Sequence, residues 1–422
     1  MKNKGKKLSG ALAIGILYSS VFLLPYIKYV FYDAIIEGTG LNNTQIGFAL
    51  SVYIAVCMVT TLISGYLADK FPIKKQLIIT GIAHAALTCV YPFVMQSYAA
   101  TLVIWGGMGI TSMMFFWSQA FKGISMLGPK EEQGKLYGFF EASNGLGSLI
   151  VTFGALAVFS RFANTVSALK GVIFFYGIIT LIATILIVIL YKPQLEELEE
   201  TKESVRKPSF KEILAVLKKP QIWIFSFVVF GMYAFYSGSS YLTPYFSTVL
   251  GVSVVFSGAL ASLKNYGTRL IGAPIAGIIS DKISTTKFIL ISYSILLVTM
   301  IIFMLLPASP SVLVPITILM FILAFIVMGI KGVSMSMLDE INVAPEVVGS
   351  AVAVATMIGY NLPDLLLHPI FGKLLDTYEP VIAYKYIFFS MAAFILIGLI
   401  STIILSVKSK KEKANMNQNN AA

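Results

Sequence analysis

Leu23-Leu24-Pro25-Tyr26-Ile27-Lys28-Tyr29-Val30 has a second copy in the same chain, Leu242-Thr243-Pro244-Tyr245-Phe246-Ser247-Thr248-Val249. Leucine, proline, tyrosine and valine fall at matching places. The echo then continues in order. Gly47-x-x-x-Ser51 returns as Gly258-x-x-x-Ser262, and Gly65-x-x-x-Asp69-Lys70 returns as Gly277-x-x-x-Asp281-Lys282. Met108-Gly109-Ile110 returns as Met328-Gly329-Ile330. Echoes that keep their order divide the chain into two copies of one module, residues 1–191 and 221–407.

Composition places both copies in a bilayer. Hydrophobic residues make up 57% of the chain and charged residues 12%. Apolar runs of about 20 residues recur throughout, the length a helix needs to cross a hydrocarbon core. They fall at 9–35, 44–66, 76–95, 99–121, 135–160, 168–191, 221–248, 254–279, 287–307, 312–335, 348–372 and 382–407, numbered below as spans 1 to 12. The runs are long and lack period-two alternation, which excludes a β-barrel. The expected fold is an all-α polytopic membrane protein with twelve helices in two six-helix repeats. Parallel repeats of this kind belong to carriers, with a substrate site expected at the repeat interface.

The net charge of +11 has a topological meaning. With both termini cytoplasmic, most lysines and arginines fall inside, beginning with Lys2, Lys4, Lys6 and Lys7, while Arg161, Lys170, Lys373 and Lys385 fall outside. This asymmetry orients a multi-pass protein of a bacterial-type plasma membrane and calls for no nucleic-acid partner. The first apolar run is too long for a cleaved signal peptide. Cys57 and Cys89 both lie in spans and suggest neither a disulfide framework nor a metal site. Residues 192–220 read as a cytoplasmic linker, and 408–422 as a polar, disordered tail.

Gly65-Tyr66-Leu67-Ala68-Asp69-Lys70-Phe71-Pro72-Ile73-Lys74-Lys75 resembles the loop 2–3 signature of the major facilitator superfamily, G-x-L-A-D-R-x-G-R-K. Pro72 stands where that pattern has glycine, and lysine replaces arginine. The second copy, Gly277 to Lys282, follows span 8, where the family repeats the signature. The resemblance covers essentially the whole chain. It implies the twelve-helix fold and a conformational latch at Gly65, Asp69 and Lys70, echoed at Gly277, Asp281 and Lys282. Gly65 is expected to let a neighbouring helix approach closely, and Asp69 to pair across the halves. Thr44-Gln45-Ile46-Gly47-Phe48-Ala49-Leu50-Ser51 is similar to the organophosphate/phosphate antiporters. Pro129-Lys130-Glu131-Glu132-Gln133-Gly134-Lys135 is similar to that branch and to nitrate porters. The sugar-porter signature is absent after span 6, where Tyr191-Lys192-Pro193-Gln194 stands.

Charges inside spans locate the chemistry, because each costs about 2.5–3.5 kcal/mol at a span centre on insertion scales. The cations are Lys28, Lys264, Arg269 and Lys331; the acids are Glu141 and Asp364. The excess of cations points to an anionic substrate. Arg269 is nearest the middle of its span, can offer a bidentate fork and is the first candidate to hold the anion, with Lys28 as the second hand from the opposite half. On an ideal helix Lys264, Asn265, Thr268 and Arg269 share a polar sector that suits a cavity wall. Tyr26, Tyr29 and Tyr236 join the site by depth. Other readings stay open. Lys28 can snorkel outward, Arg269 can lock to Asp364, and Lys331 can pair with Asp339, Glu340 or Glu141. Glu141 and Asp364 can instead carry protons. His84 and His368 read as ordinary polar helix residues.

Packing signals suggest motion. Ala351, Ala355 and Gly359 form a small-residue stripe in span 11, while Pro25 and Pro244 can bend spans 1 and 7. The expected function is a secondary active transporter, working as a monomer. It moves a small organic or phosphorylated anion by rocker-switch alternating access. The alternatives are a proton-coupled carrier of a neutral metabolite or drug, or a transporter-like ligand sensor. Neither a catalytic constellation, a cofactor motif nor metal-ligand spacing can be read from the sequence.

Overall fold

The computed structural model describes residues 2–129, 132–193, 218–340 and 348–421. Most of the expected linker therefore lies outside the described residues. Among those described, nine helices are long and apolar enough to cross a membrane. They correspond to spans 2 to 7, 9, 10 and 12. Thr165–Leu190 illustrates why. Thr180, Ala183, Thr184 and Ile187 are buried, while Ile178, Ile182, Ile185 and Ile189 are exposed. A helix apolar on every side buries one face in protein and offers the other to lipid.

Spans 1, 8 and 11 are helical in pieces. Span 1 runs as a helix over Lys2–Val21, loses it, tightens into a single 3-10 turn at Ile27–Tyr29, and resumes at Tyr32–Thr39. Pro25 has no N–H for the ladder. The backbone there closes short bonds instead, from Ile27 N–H to Leu24 O, 3.1 Å, and from Tyr29 N–H to Tyr26 O, 2.9 Å. The expected bend is thus a break. Its counterpart in span 7 stays continuous but tightens to 3-10 at Ser239–Tyr241, just before Pro244. Spans 8 and 11 each contain a π-helical stretch, Leu263–Gly267 and Thr356–Asn361, and a third occupies Ile110–Trp117 of span 4.

The chain divides into two compact units. Unit 1 comprises Met1–Lys202, Thr243–Gly267 and His368–Asp376; unit 2 comprises Glu203–Leu242, Thr268–Leu367 and Thr377–Ala422. Within unit 1, Lys2–Val21 packs on Thr165–Leu190, Ile73–Val94 on the same helix, and Asn43–Lys70 on the Ile110–Trp117 stretch. Within unit 2 the pairings correspond. Pro220–Gly238 packs on Pro380–Ala421, as does Thr285–Leu305, and Thr268–Ile283 packs on Leu313–Val333.

Phe116 goes into the core of unit 1 with Phe140, and half-buried Trp117 packs on Tyr18, Phe22 and Phe121 beside it. The small-residue stripe of span 11 packs on span 7, where a Cβ at Gly359 would meet Val229 at 2.6 Å. Helix Pro380–Ala421 continues through the tail that the sequence reading leaves disordered. Residues 408–421 contain neither Gly nor Pro, so nothing in them breaks the helix.

Candidate functional site

Lys28 sits in the break of span 1. Its side chain is 0% exposed, and Nζ lies 2.6 Å from Nδ1 of His368, also 0% exposed. The ammonium is turned inward, so the outward-snorkelling reading is overturned. His368 likewise is no ordinary helix residue. Its Nε2 is 3.4 Å from Tyr29 Oη, and the Tyr29 ring packs edge-on against Tyr26, which in turn meets Tyr53. Lys28 Nζ also lies 6.0 Å from the Tyr32 ring centroid.

Glycines bring His368 to this place. A Cβ at Gly47 would fall 2.3 Å from the His368 carbonyl oxygen, and one at Gly372 would fall 2.4 Å from that of Asn43. Only glycine permits backbones this close. The contact is fastened by Asp376. Its carboxylate accepts from Asn43 N–H at 3.0 Å, Thr44 N–H at 2.8 Å and both side chains. It thereby satisfies the free N–H groups of helix Asn43–Lys70. Nearby, Ser247 donates to Asp33, and Thr243 donates to the Tyr29 carbonyl at 2.9 Å.

Lys264 and Asn265 are buried, also in unit 1, on a π-helical turn that packs against Gln133–Phe159. The π turn changes the angular step between residues, yet Thr268 is buried as Lys264 and Asn265 are, while Leu263, Leu270 and Ile271 are exposed. Arg269 is half-buried at the start of Thr268–Ile283. Glu141 is exposed on Gln133–Phe159.

Unit 2 holds a second cluster. Lys331 Nζ stands 4.6 Å from the Tyr236 ring centroid and 5.3 Å from that of Tyr233. All three side chains are half-buried, and cation–π contacts range from about 0.5–1 kcal/mol when exposed to about 2 kcal/mol when desolvated. Asp364, buried at the end of the span 11 π stretch, accepts from Ser237 Oγ at 2.6 Å and Tyr233 Oη at 3.1 Å. Of Lys331's expected partners, Glu340 is engaged elsewhere. It accepts from Thr285 N–H, Thr286 N–H and Thr286 Oγ1 at 2.6, 3.0 and 2.6 Å, tying down the start of Thr285–Leu305. The Asp339 side chain lies outside the described residues.

The latch residues lie at helix ends. Asp69 pairs with Lys122 at 2.9 Å inside unit 1, and Lys70 donates to Tyr66 Oη at 3.1 Å. Asp281 and Lys282 are exposed. Among the described residues no atom lies within 4 Å of a Cβ at Gly65 or Gly277, so the close approach expected at Gly65 is made at Gly47 and Gly372 instead. His84 donates or accepts at Thr111, 2.8 Å away, within the packing of unit 1.

Sequence reasoning missed His368, Tyr233 and Ser237. Tyr233 precedes Tyr236 by about one turn, and His368 follows Asp364 by the same step, so the helical period was the available signal.

Relatives and solved structures agree with this architecture. The profile of the Major Facilitator Superfamily matches residues 8–366. The inner membrane protein YihN of Escherichia coli (strain K12) is 32% identical over 403 residues, covering 94% of each chain. A bacterial homologue of the human lysosomal transporter Spinster, crystallised inward-facing and unoccupied, superposes with a TM-score of 0.76 at 16% identity, covering 96% of this chain and 97% of that one. The D-xylose–proton symporter has a TM-score of 0.69 at 16% identity, with 95% of both chains covered. The chain belongs to the Major Facilitator Superfamily, as a multi-pass inner-membrane protein with the fold of its transporters.

Proposed function

We propose that this protein is a secondary active transporter that carries a small organic or phosphorylated anion by rocker-switch alternating access. The observation that carries the reading is Lys28, fully buried at the break of span 1. Discontinuous helices in carriers expose backbone and side-chain groups to substrate, and a buried ammonium there has donors that an anion can accept from. Lys264, buried on its π turn, and Lys331, held on two tyrosine faces, support the same sign of charge. The surrounding tyrosine hydroxyls suit a substrate that also carries hydroxyl groups.

A second reading, proton-coupled carriage of a neutral metabolite, is favoured by Asp364 with its hydroxyl donors Ser237 and Tyr233. Thermal stability of the purified protein separates the two. Against a panel of phosphate esters, hydroxy-carboxylates, inorganic anions and neutral sugars, an anionic substrate at 100 times its Kd is expected to add about 2.7 kcal/mol. Lys28→Gln is expected to weaken that ligand at least about tenfold, or 1.4 kcal/mol. Stabilisation by neutral solutes alone would sink the anion reading.

A further inference from the structure

Thr152 departs from the habit of other buried threonines in this protein. A helical threonine commonly returns its hydroxyl to the carbonyl four residues back. Thr180, Thr184, Thr299 and Thr402 do so at 2.9, 2.7, 2.8 and 2.7 Å. Thr152 is 0% exposed, yet its Oγ1 has no hydrogen-bond partner among the described residues. Two turns earlier on the same helix, Asn144 is 4% exposed and its Nδ2 is likewise unpaired among them. Ser148, between the two, reaches Asn144 Oδ1 at 3.5 Å. Turning the amide over would offer its nitrogen to Ser148 and leave its oxygen unpaired instead. A buried polar atom without a partner costs its desolvation in full, so two on one helix call for a ligand that supplies the missing bonds.

The side chains form one strip. Residues four apart on a helix lie nearly above one another, so Asn144, Ser148 and Thr152 share a face with Leu156. That face meets span 8. A Cβ at Gly258 would fall 2.9 Å from Leu156 Cδ2 and 3.0 Å from the Val30 carbonyl oxygen. Further in, the π turn Leu263–Gly267, with buried Lys264 and Asn265, packs on the same helix. As spans 5 and 8, the two helices run in opposite directions. Counting inward from the Gly258–Leu156 contact therefore sets Lys264 and Asn265 level with positions 149–150, between Ser148 and Thr152. Ser148 lies near the middle of Gln133–Phe159, the depth at which carriers hold substrate between repeats.

The chemistry of the strip matches a hydroxyl group. Asparagine and threonine each offer a donor and an acceptor and carry no charge, and a hydroxyl can use both. Positive charge comes from Lys264 on the facing turn. At 1.5 Å per residue, Asn144 and Thr152 stand about 12 Å apart along the helix axis. With hydrogen bonds of about 2.8 Å at each end, one ligand that serves both is about 6 Å long or more. Inorganic phosphate and nitrate fall short of that length; a sugar acid or sugar phosphate reaches it.

We propose that Asn144 and Thr152 are substrate-binding residues that recognise the hydroxyl groups of a polyhydroxylated anion, a sugar acid or sugar phosphate, whose charged end lies toward Lys264. The inference rests on the anion reading above. The strip and the turn facing it belong to different repeats, so the rocking motion of that reading parts them and admits the substrate.

Thr152→Val keeps the side-chain shape and removes the hydroxyl, Thr152→Ser keeps the hydroxyl, and Asn144→Leu removes the amide. Thermal shift and calorimetric titration of the full-length, detergent-purified protein compare two pairs of probes, D-gluconate with hexanoate and glycerol 3-phosphate with n-propyl phosphate. The second member of each pair keeps the charge and lacks the free hydroxyls. Neutral D-glucitol is the control for charge. Wild type should prefer the hydroxylated member of at least one pair by about tenfold. Thr152→Val and Asn144→Leu should shrink that preference to about twofold by weakening the hydroxylated member alone, and Thr152→Ser should retain it. Without probe, Thr152→Val should melt no lower than wild type, because its added methyl has no donor to desolvate. If Asn144→Leu fails to fold, the two Thr152 variants decide.

A preference left intact in Thr152→Val overturns the proposal while the anion reading stands. So does an equal loss of both members of a pair, which would give Thr152 a role in the fold and not at the hydroxyls. Equal binding of both members by wild type would show that the strip reads no hydroxyl, again without touching the anion reading. If none of the four anions binds, both readings fall. If D-glucitol binds as tightly as D-gluconate, the anionic class is overturned in both.

Discussion

Lys331 shows how one charge is accommodated inside a span without losing its use. Its ammonium rests on the faces of Tyr233 and Tyr236, whose quadrupoles attract a cation while leaving its donors directed elsewhere. The contact with Lys331 is made by the Tyr236 ring. Tyr236→Phe is expected to retain anion binding, whereas Tyr236→Ala should weaken it by roughly 1 kcal/mol, or about fivefold, for a half-buried contact. Calorimetric titration of the two variants with the stabilising anion checks this, and equal losses in both would contradict it.

At the scale of elements, Asp376 joins the end of Leu362–Thr377 to the start of Asn43–Lys70. Burial pushes its carboxyl up, but hydrogen bonds from Thr44 and Asn43 outweigh burial and hold it below the ordinary carboxylate value. The sign follows directly. A lowered carboxyl stabilises the folded contact above its unfolded pKa, and that contribution is lost as pH falls through the lowered value. Protection of the Asn43 and Thr44 amides, relative to the intrinsic exchange rate at each pH, should accordingly fall in acid. Asp376→Asn should show the faster exchange already at neutral pH, with a loss of about 1 kcal/mol, typical of a helix cap. Exchange in the variant as slow as in wild type would show that the carboxylate does not hold this end. Gly47 belongs to the same junction. Gly47→Val would drive a side chain into the His368 carbonyl, where a Cβ already falls at 2.3 Å. Overpacking of about 1–3 kcal/mol is expected, with transport lost, and a variant of wild-type stability and flux would refute the close approach.

At the scale of the whole molecule, the inner-membrane assignment comes with an orientation. The lysine-rich start and the other basic loops predict cytoplasmic termini. A fluorescent protein that matures only in the cytoplasm, fused after Ala422, should glow at full intensity. A dark fusion in correctly inserted protein would reverse the topology. The two copies place prolines at equivalent points, Pro25 and Pro244. Span 1 breaks at Pro25 and span 7 stays continuous, tightening to a 3-10 turn before Pro244, while spans 4, 8 and 11 carry π-helical stretches. Backbone irregularities are tolerated at membrane depth only where protein or a polar cavity satisfies the freed groups.

The membrane class, the repeat and the superfamily were all legible in the chain itself. Each rests on local information: the length of apolar runs, the echo of Leu23–Val30 at Leu242–Val249, and the Gly65–Lys75 signature. The charges that stand out in spans were legible too, because hydrocarbon penalises Lys28, Lys264, Arg269, Lys331, Glu141 and Asp364 wherever they point. Their partners were not. Lys28 and His368 are separated by most of the chain, and helical periodicity says which residues share a face but not which face another helix meets. The break at Pro25, the π turn under Lys264 and the glycine contacts at Gly47 and Gly372 choose those faces. Backbone departures of that kind depend on what packs against them, so only the tertiary structure could put an imidazole beside the buried ammonium.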